Sequence, residues 1–164
     1  MRTETTARTL YFFNELSEDA KQKAIEKLWD INVDYEWWEF IYENAANIGL
    51  KITGFDIDRA SYCNGELTDN VENVVHRIIE AHGENCDTYK LAKLWENTRC
   101  YKDENGEELP DGEYEELEKE FSYALKEEYL SILQNEYEYL TSEEAIIETI
   151  EANEYEFTEY GEMA

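Results

Sequence analysis

The chain has 164 residues, enough for one domain with a real core, and its 42% hydrophobic and 14% aromatic content is too rich for a disordered acidic tail. A formal net charge of −27 argues against nucleic acid and anionic membrane as direct partners and favours basic surfaces. No apolar run approaches the roughly 20 residues that span a bilayer, "MRTETTARTLYFF" lacks a signal peptide's apolar core, and Cys63, Cys86 and Cys100 form no disulfide framework, so a reducing cytoplasm is expected.

In chain order, "RTLYFF" at 8–13 is apolar and β-prone and reads as a first strand or buried lead-in. "NELSEDAKQKAIEKLW" supplies a helix, with Ser17 as N-cap, Glu18 and Asp19 at the positive end of its dipole, and Ala24, Ile25 and Leu28 at helical spacing. "DYEWWEFIYENAANIG" reads as a second helix with Trp37, Phe40, Ile41 and Ala45 on one face and Gly49 to stop it. From Leu50 the period changes to alternation. Two strands joined near Asp58-Arg59 are expected, with a bulge around Gly54 and a further turn at Asn64-Gly65.

"NVENVVHRIIEAHG" is a helix with Val71, Val74, Val75, Ile78 and Ile79 inward and Gly83 at its end, and "DTYKLAKLWENTR" is another with Asp87 as candidate cap. Its Lys90, Lys93 and Arg99 make the most basic local patch. "CYKDENGEELPDG" is a loop, and the longest helix runs from about 113 to 140 with Tyr114, Leu117, Phe121, Leu125 and Ile132 toward the core. Thr141 followed by Glu144 has the capping-box pattern for a last helix, and "YEFTEY" alternates as a returning strand. The expected fold is α+β, a helical majority of five or six helices packed on a small antiparallel sheet. One domain covers 1–164, with a mixed α/β part at 1–100 and an acidic helical part at 113–164, linked by a loop at 99–112.

The charge is uneven. Residues 1–100 hold 19 acids and 11 bases (net −8), whereas 101–164 hold 22 acids and 3 bases (net −19). At about 100° per residue, Glu113, Glu116, Glu120, Glu127 and Glu138 fall in one row along the long helix, within roughly 60° of each other. The last helix adds Glu143, Glu144, Glu148 and Glu151. A solvated helix face ordinarily interleaves Lys or Arg for i,i+4 pairs; across 113–151 only Lys119 and Lys126 are present. The row therefore reads as a decoy for a phosphate backbone, with tyrosines such as Tyr123 as interface anchors that stack on arginine. A homodimer would bring two such rows together.

Two other chemistries have candidate residues. Asp56 and Asp58, two apart on a strand, would share a face and with Glu66 hold Mg²⁺, which would make an enzyme. His82 and Cys86, with His76 and Cys63, offer a zinc set without a CxxC pair, and His76 sits among apolar residues as a core histidine would. A non-mimic adaptor would instead use Trp37, Trp38 and Trp95 as exposed aromatics. No cofactor is required by the leading reading.

"FNELSEDAKQKAIEKLW", "NVDYEWWEF", "GFDIDRASYCNGE" and "EYEYLTSEEAIIETIEANEYEFTEYG" together resemble a group of small acidic proteins encoded in bacteriophage and prophage genomes. The resemblance spans most of the chain and carries no catalytic residues. It implies a phage product acting in the cytoplasm of a bacterial host. By analogy of charge and setting with phage DNA mimics, the expected function is counter-defence of the anti-CRISPR or anti-restriction type. The expected partner is the basic nucleic-acid-binding groove of a bacterial defence protein.

Overall fold

The computed structural model describes residue 3 and residues 7–99 and 111–164; of the side chains at 98, 99 and 111–113 nothing is described. The expected loop at 99–112, with Cys100 and Pro110, therefore lies almost wholly outside the described residues. In chain order the elements are β1 (Tyr11–Phe12), α1 (Glu18–Lys27), α2 (Glu39–Asn47), β2 (Leu50–Asp56), β3 (Tyr62–Leu67), α3 (Val71–Ala81), α4 (Asp87–Arg99), α5 (Asp111–Leu140), α6 (Glu143–Ala152) and β4 (Glu156–Phe157). This is a helical-majority α+β fold. Its strand pairing is divided between two antiparallel two-stranded sheets, β1–β4 and β2–β3.

The chain forms two compact units. The end unit joins Met1–Trp37 to Glu136–Ala164, and the middle unit is Trp38–Asn135. In the end unit, Tyr11 pairs with Phe157 and Phe12 with Glu156. Ser17 caps α1, its Oγ accepting from the Ala20 amide at 3.2 Å, which satisfies one of the orphan donors of the first turn. The inward residues Ala20, Ala24 and Ile25 then pack with Phe13, Leu16, Ile146, Ile150 and Phe157 in one apolar cluster. Phe13 meets Phe157 edge-on at 6.2 Å between centroids, a favoured aromatic geometry. Buried Asn32 is satisfied on both sides: its amide donates to the Leu140 carbonyl at 2.9 Å and its Oδ1 accepts from Thr149 Oγ1 at 2.6 Å.

Ser142, one residue beyond the expected Thr141, caps α6 by accepting from the Ala145 amide at 3.3 Å. Thr141 cannot serve as that cap. Its hydroxyl donates back to the Tyr137 carbonyl at 2.9 Å, which ties it to the end of α5.

In the middle unit α2 begins at Glu39, later than its apolar pattern suggests, and Gly49 ends it with φ +97°. Ile41 and Ala45 are buried as expected, as is Trp37 of the end unit, but Phe40 is 56% exposed. The β2–β3 ladder shifts register between Ile52 and Gly54, the expected bulge. Asn64 and Gly65 do not turn the chain; they lie inside β3, paired with Gly54 and Ile52. A Cβ on Gly65 would sit 2.6 Å from the Lys51 carbonyl oxygen, so this glycine serves close approach opposite the bulge.

Val71, Val74, Val75 and Ile78 of α3 are buried, while Ile79 is only half-buried. Asp87 is the first residue of α4 rather than its cap.

Candidate functional site

The long helix α5 carries two different stripes. Its buried residues Phe121, Leu125, Tyr129 and Leu133 recur every four positions, joined by Leu130. Four residues turn an α-helix by about 40° more than one revolution, so this stripe winds around the rod. Leu117 and Tyr114 at its start are half-buried. Ile132, expected in the core, keeps the phase of the early stripe after the stripe has moved on, and is 38% exposed.

The second stripe is Glu116, Glu120, Tyr123 and Glu127, spaced four, three and four. That alternation tracks the 3.6-residue turn, so the line stays nearly straight, with axial steps of about 6, 4.5 and 6 Å. All four side chains are exposed, Tyr123 at 65%. Glu113 would extend the line, but its side chain lies outside the described residues. Glu138 is exposed in the last turn of α5, within the end unit.

On α6, Glu144, Glu148 and Glu151 form a second exposed acid face opposite buried Ala145, Ile146 and Ile150, and Glu143 is exposed in the first turn. Tyr139 donates its hydroxyl to Glu148 Oε2 at 3.2 Å. That bond, and then the negative charge of Glu148, pushes the Tyr139 phenol above its ordinary range, with Glu144 and Glu136 adding to the effect.

The ion pairs lie elsewhere. Among the described residues the lysine and arginine ion pairs are Lys21–Glu18, Lys27–Glu162, Arg77–Asp69, Lys90–Asp87 and Lys93–Glu96, between 3.0 and 4.0 Å. The basic patch of α4 is thus matched by its own acids, with the Arg99 side chain outside the description. None of the pairs involves Glu116, Glu120, Glu127, Glu138 or the four α6 glutamates. Lys119 and Lys126 make no ion pair among the described residues.

The metal candidates do not converge. Asp56 Oδ1 accepts from the Asp58 amide at 2.8 Å, closing a local turn. Across the hairpin Asp56 faces Tyr62 while Glu66 faces Lys51, which separates the acids by four strand residues, roughly 13 Å. Among the described residues no three His, Cys, Asp or Glu are grouped to hold a metal ion. His76 is exposed and bonded to Glu80 at 3.1 Å, against its expected core position. His82 Nδ1 bonds Thr88 Oγ1. Cys63 is buried in β3, and burial first of all pushes its thiol up to about 11, with Lys126 lowering it and Glu127 raising it.

Two of the three tryptophans expected on an adaptor surface are covered. Trp37 and Trp95 are buried, Trp37 against Tyr137 at 5.6 Å and Trp95 against Phe121 at 6.0 Å; half-buried Trp38 packs on Phe55 at 5.6 Å.

One feature escaped the sequence reading. The middle unit contains a cleft of about 530 Å³, lined among others by Phe40, His82, Asp87, Glu128, Tyr129 and Ile132. No local signal marks it, since helical spacing directs both Phe40 and Ile132 to the core. Burial, then the charge of Asp87, pushes the Glu128 carboxyl above its ordinary range, and burial lowers the His82 imidazole.

No family model, no curated protein and no solved structure matches the chain. No helix among the described residues is long and apolar enough to cross a membrane.

Proposed function

We propose that this protein is a counter-defence inhibitor of the anti-CRISPR or anti-restriction type. It blocks a bacterial nucleic-acid-binding protein by presenting carboxylates where DNA presents phosphates. The observation that supports this most directly is the straight exposed line Glu116, Glu120, Tyr123, Glu127, whose acids have no ion pair among the described residues. The resemblance of its sequence segments to phage and prophage proteins supports a phage origin in this reading, with the cytoplasm of a bacterial host as the setting.

The mechanism is competitive. A groove that binds DNA offers Lys and Arg at phosphate spacing, and occupation by a rigid acidic helix denies access. Three carboxylates over about 16 Å of helix face a groove built for about five phosphates of one strand at 3.4 Å each. Charge alone is therefore thinner than DNA's. Tyr123, set between Glu120 and Glu127, adds a face on which an arginine can stack, and the acid face of α6 supplies a second patch.

The test begins with the protein immobilised, exposed to bacterial lysate and eluted by a salt gradient, with the captured protein identified by mass. Glu116, Glu120, Glu127 and Glu138 are then changed together to Gln. At about 0.7 kcal/mol per exposed charge contact, the four changes remove roughly 3 kcal/mol, or about a hundredfold in affinity. The expected result is loss of inhibition with an unchanged melting temperature. Inhibition that survives the quadruple change, or binding indifferent to salt, would refute mimicry.

A further inference from the structure

The acidic rows leave the cleft of the middle unit unused, and its lining has a chemistry of its own. We propose that this cleft binds a small organic cation, an ammonium or guanidinium group on an apolar stem, with Glu128 as counter-charge and Phe40 and Ile132 as walls for the stem. Its volume of about 530 Å³ lies within the usual range of small-ligand sites, about 300–1,000 Å³. The two wall residues come from different helices, α2 and α5. Both are apolar residues that helical periodicity directs to the core, and both stand 56% and 38% exposed at the same cleft. Buried Tyr129 backs the cleft and is held in place by its hydroxyl, which donates to Asn44 Oδ1 at 2.8 Å.

The charges select the sign of the ligand. Among the described residues that line the cleft, the full charges are Asp87 and Glu128, and no Lys or Arg joins them. Lys90 reaches Asp87 only at 4.0 Å, with both side chains largely exposed, an arrangement with little hold. Glu128 is half-buried and has no ion pair among the described residues. Its carboxyl is raised by burial and by Asp87, so its charged form lacks compensation that a bound cation would supply. Burial lowers His82, which keeps that imidazole from acting as the missing cation. An anion meets two carboxylates, and a neutral ligand leaves the charge of Glu128 uncompensated. The aromatic ring of Phe40 adds a face for the cation or its stem.

The same cation can arrive as a free amine or as an arginine side chain presented by another protein. Two probes separate these sources: phenethylamine, and N-acetyl-arginine amide. The neutral control is 2-phenylethanol. Each is titrated into the full chain and followed by amide chemical shifts and calorimetry. Saturable binding by at least one cation is expected, at least tenfold tighter than the control, with shifts concentrated at 40–44, 82–88 and 128–132. Tighter phenethylamine assigns the cleft to free amines, and tighter acetyl-arginine amide assigns it to a protein's arginine.

Glu128→Gln should weaken the tighter cation about tenfold with unfolding unchanged, and Phe40→Ala should weaken it several-fold. Should Glu128→Gln fail to fold, exposed Asp87→Asn carries the same test, with a smaller loss expected. Three outcomes overturn the proposal: no saturation by either cation up to about 20 mM, the weak end for a ligand of about nine heavy atoms; equal binding of 2-phenylethanol; or a folded Glu128→Gln protein that binds as the parent does.

Discussion

Helices α1 and α6 are a natural matched pair within the end unit. Each has ten residues and a serine N-cap, Ser17 or Ser142, whose hydroxyl accepts from the amide three positions on at 3.2 or 3.3 Å. Each opens with two acids and buries alanine and isoleucine, with Ala20, Ala24 and Ile25 of α1 and Ile146 and Ile150 of α6 in the same apolar cluster. They differ in charge. In α1, Glu18, Asp19 and Glu26 are balanced by Lys21, Lys23 and Lys27 (3 − 3 = 0), and Lys21 pairs with Glu18 at 3.6 Å. In α6, Glu143, Glu144, Glu148 and Glu151 face no base (0 − 4 = −4). One unit thus holds a neutral and a strongly acidic version of the same design. The acid surplus of α6 is therefore separable from the packing that folds it.

The most damaging way to break this pair is Gly161→Ala. Gly161 adopts φ +82°, and a Cβ there would collide with the Ala20 carbonyl of α1. Overpacking combined with a strained left-handed residue should cost about 3 kcal/mol in urea unfolding. Ser17→Ala and Ser142→Ala come next. Each should lose about 1 kcal/mol, and near-equal losses would show that capping is indifferent to the charge that follows. A loss at one site alone would break the pairing.

Smallest, and opposite in sign, is Glu151→Lys. This exposed acid sits in the last turn of α6, where the helix dipole disfavours negative charge. The change should stabilise by roughly 0.3–1 kcal/mol at low salt. The gain should largely vanish in about 1 M salt, where the screening length falls to about 3 Å. A gain that persists in salt would mean that packing, not charge, set the difference.

Local signals in the sequence were the legible ones. Ser17, the bulge at Gly54 and the inward valines of α3 each depend on neighbours within one turn or one strand pair, and each is where its local chemistry places it. Asn64-Gly65 misled because the dipeptide favours tight turns, while here its glycine answers to the backbone of Lys51 across the ladder. Thr141 misled because a hydroxyl one residue early found a different acceptor at Tyr137.

Phe40 and Ile132 show a deeper limit. Periodicity finds the apolar face of a helix but cannot tell where neighbouring elements stop covering it, and the winding of the α5 stripe moved the covered face away from Ile132. Of the acid row, the alignment was readable from spacing. The absence of partners for it among the described residues was not, because it depends on where Lys21, Lys27, Arg77, Lys90 and Lys93 lie.

The antiparallel pairing of Tyr11 with Phe157 has a consequence for the newborn protein. At about 5–20 residues per second on the ribosome, the N-terminal strand waits some seconds for its mate to be made. The segment Trp38–Asn135 is complete 22 residues before Phe157 is added, roughly 1–4 s earlier at that rate. Vectorial synthesis therefore completes the middle unit before the end unit, and Phe13 and Leu16 wait uncovered for Ile146, Ile150 and Phe157, which come last.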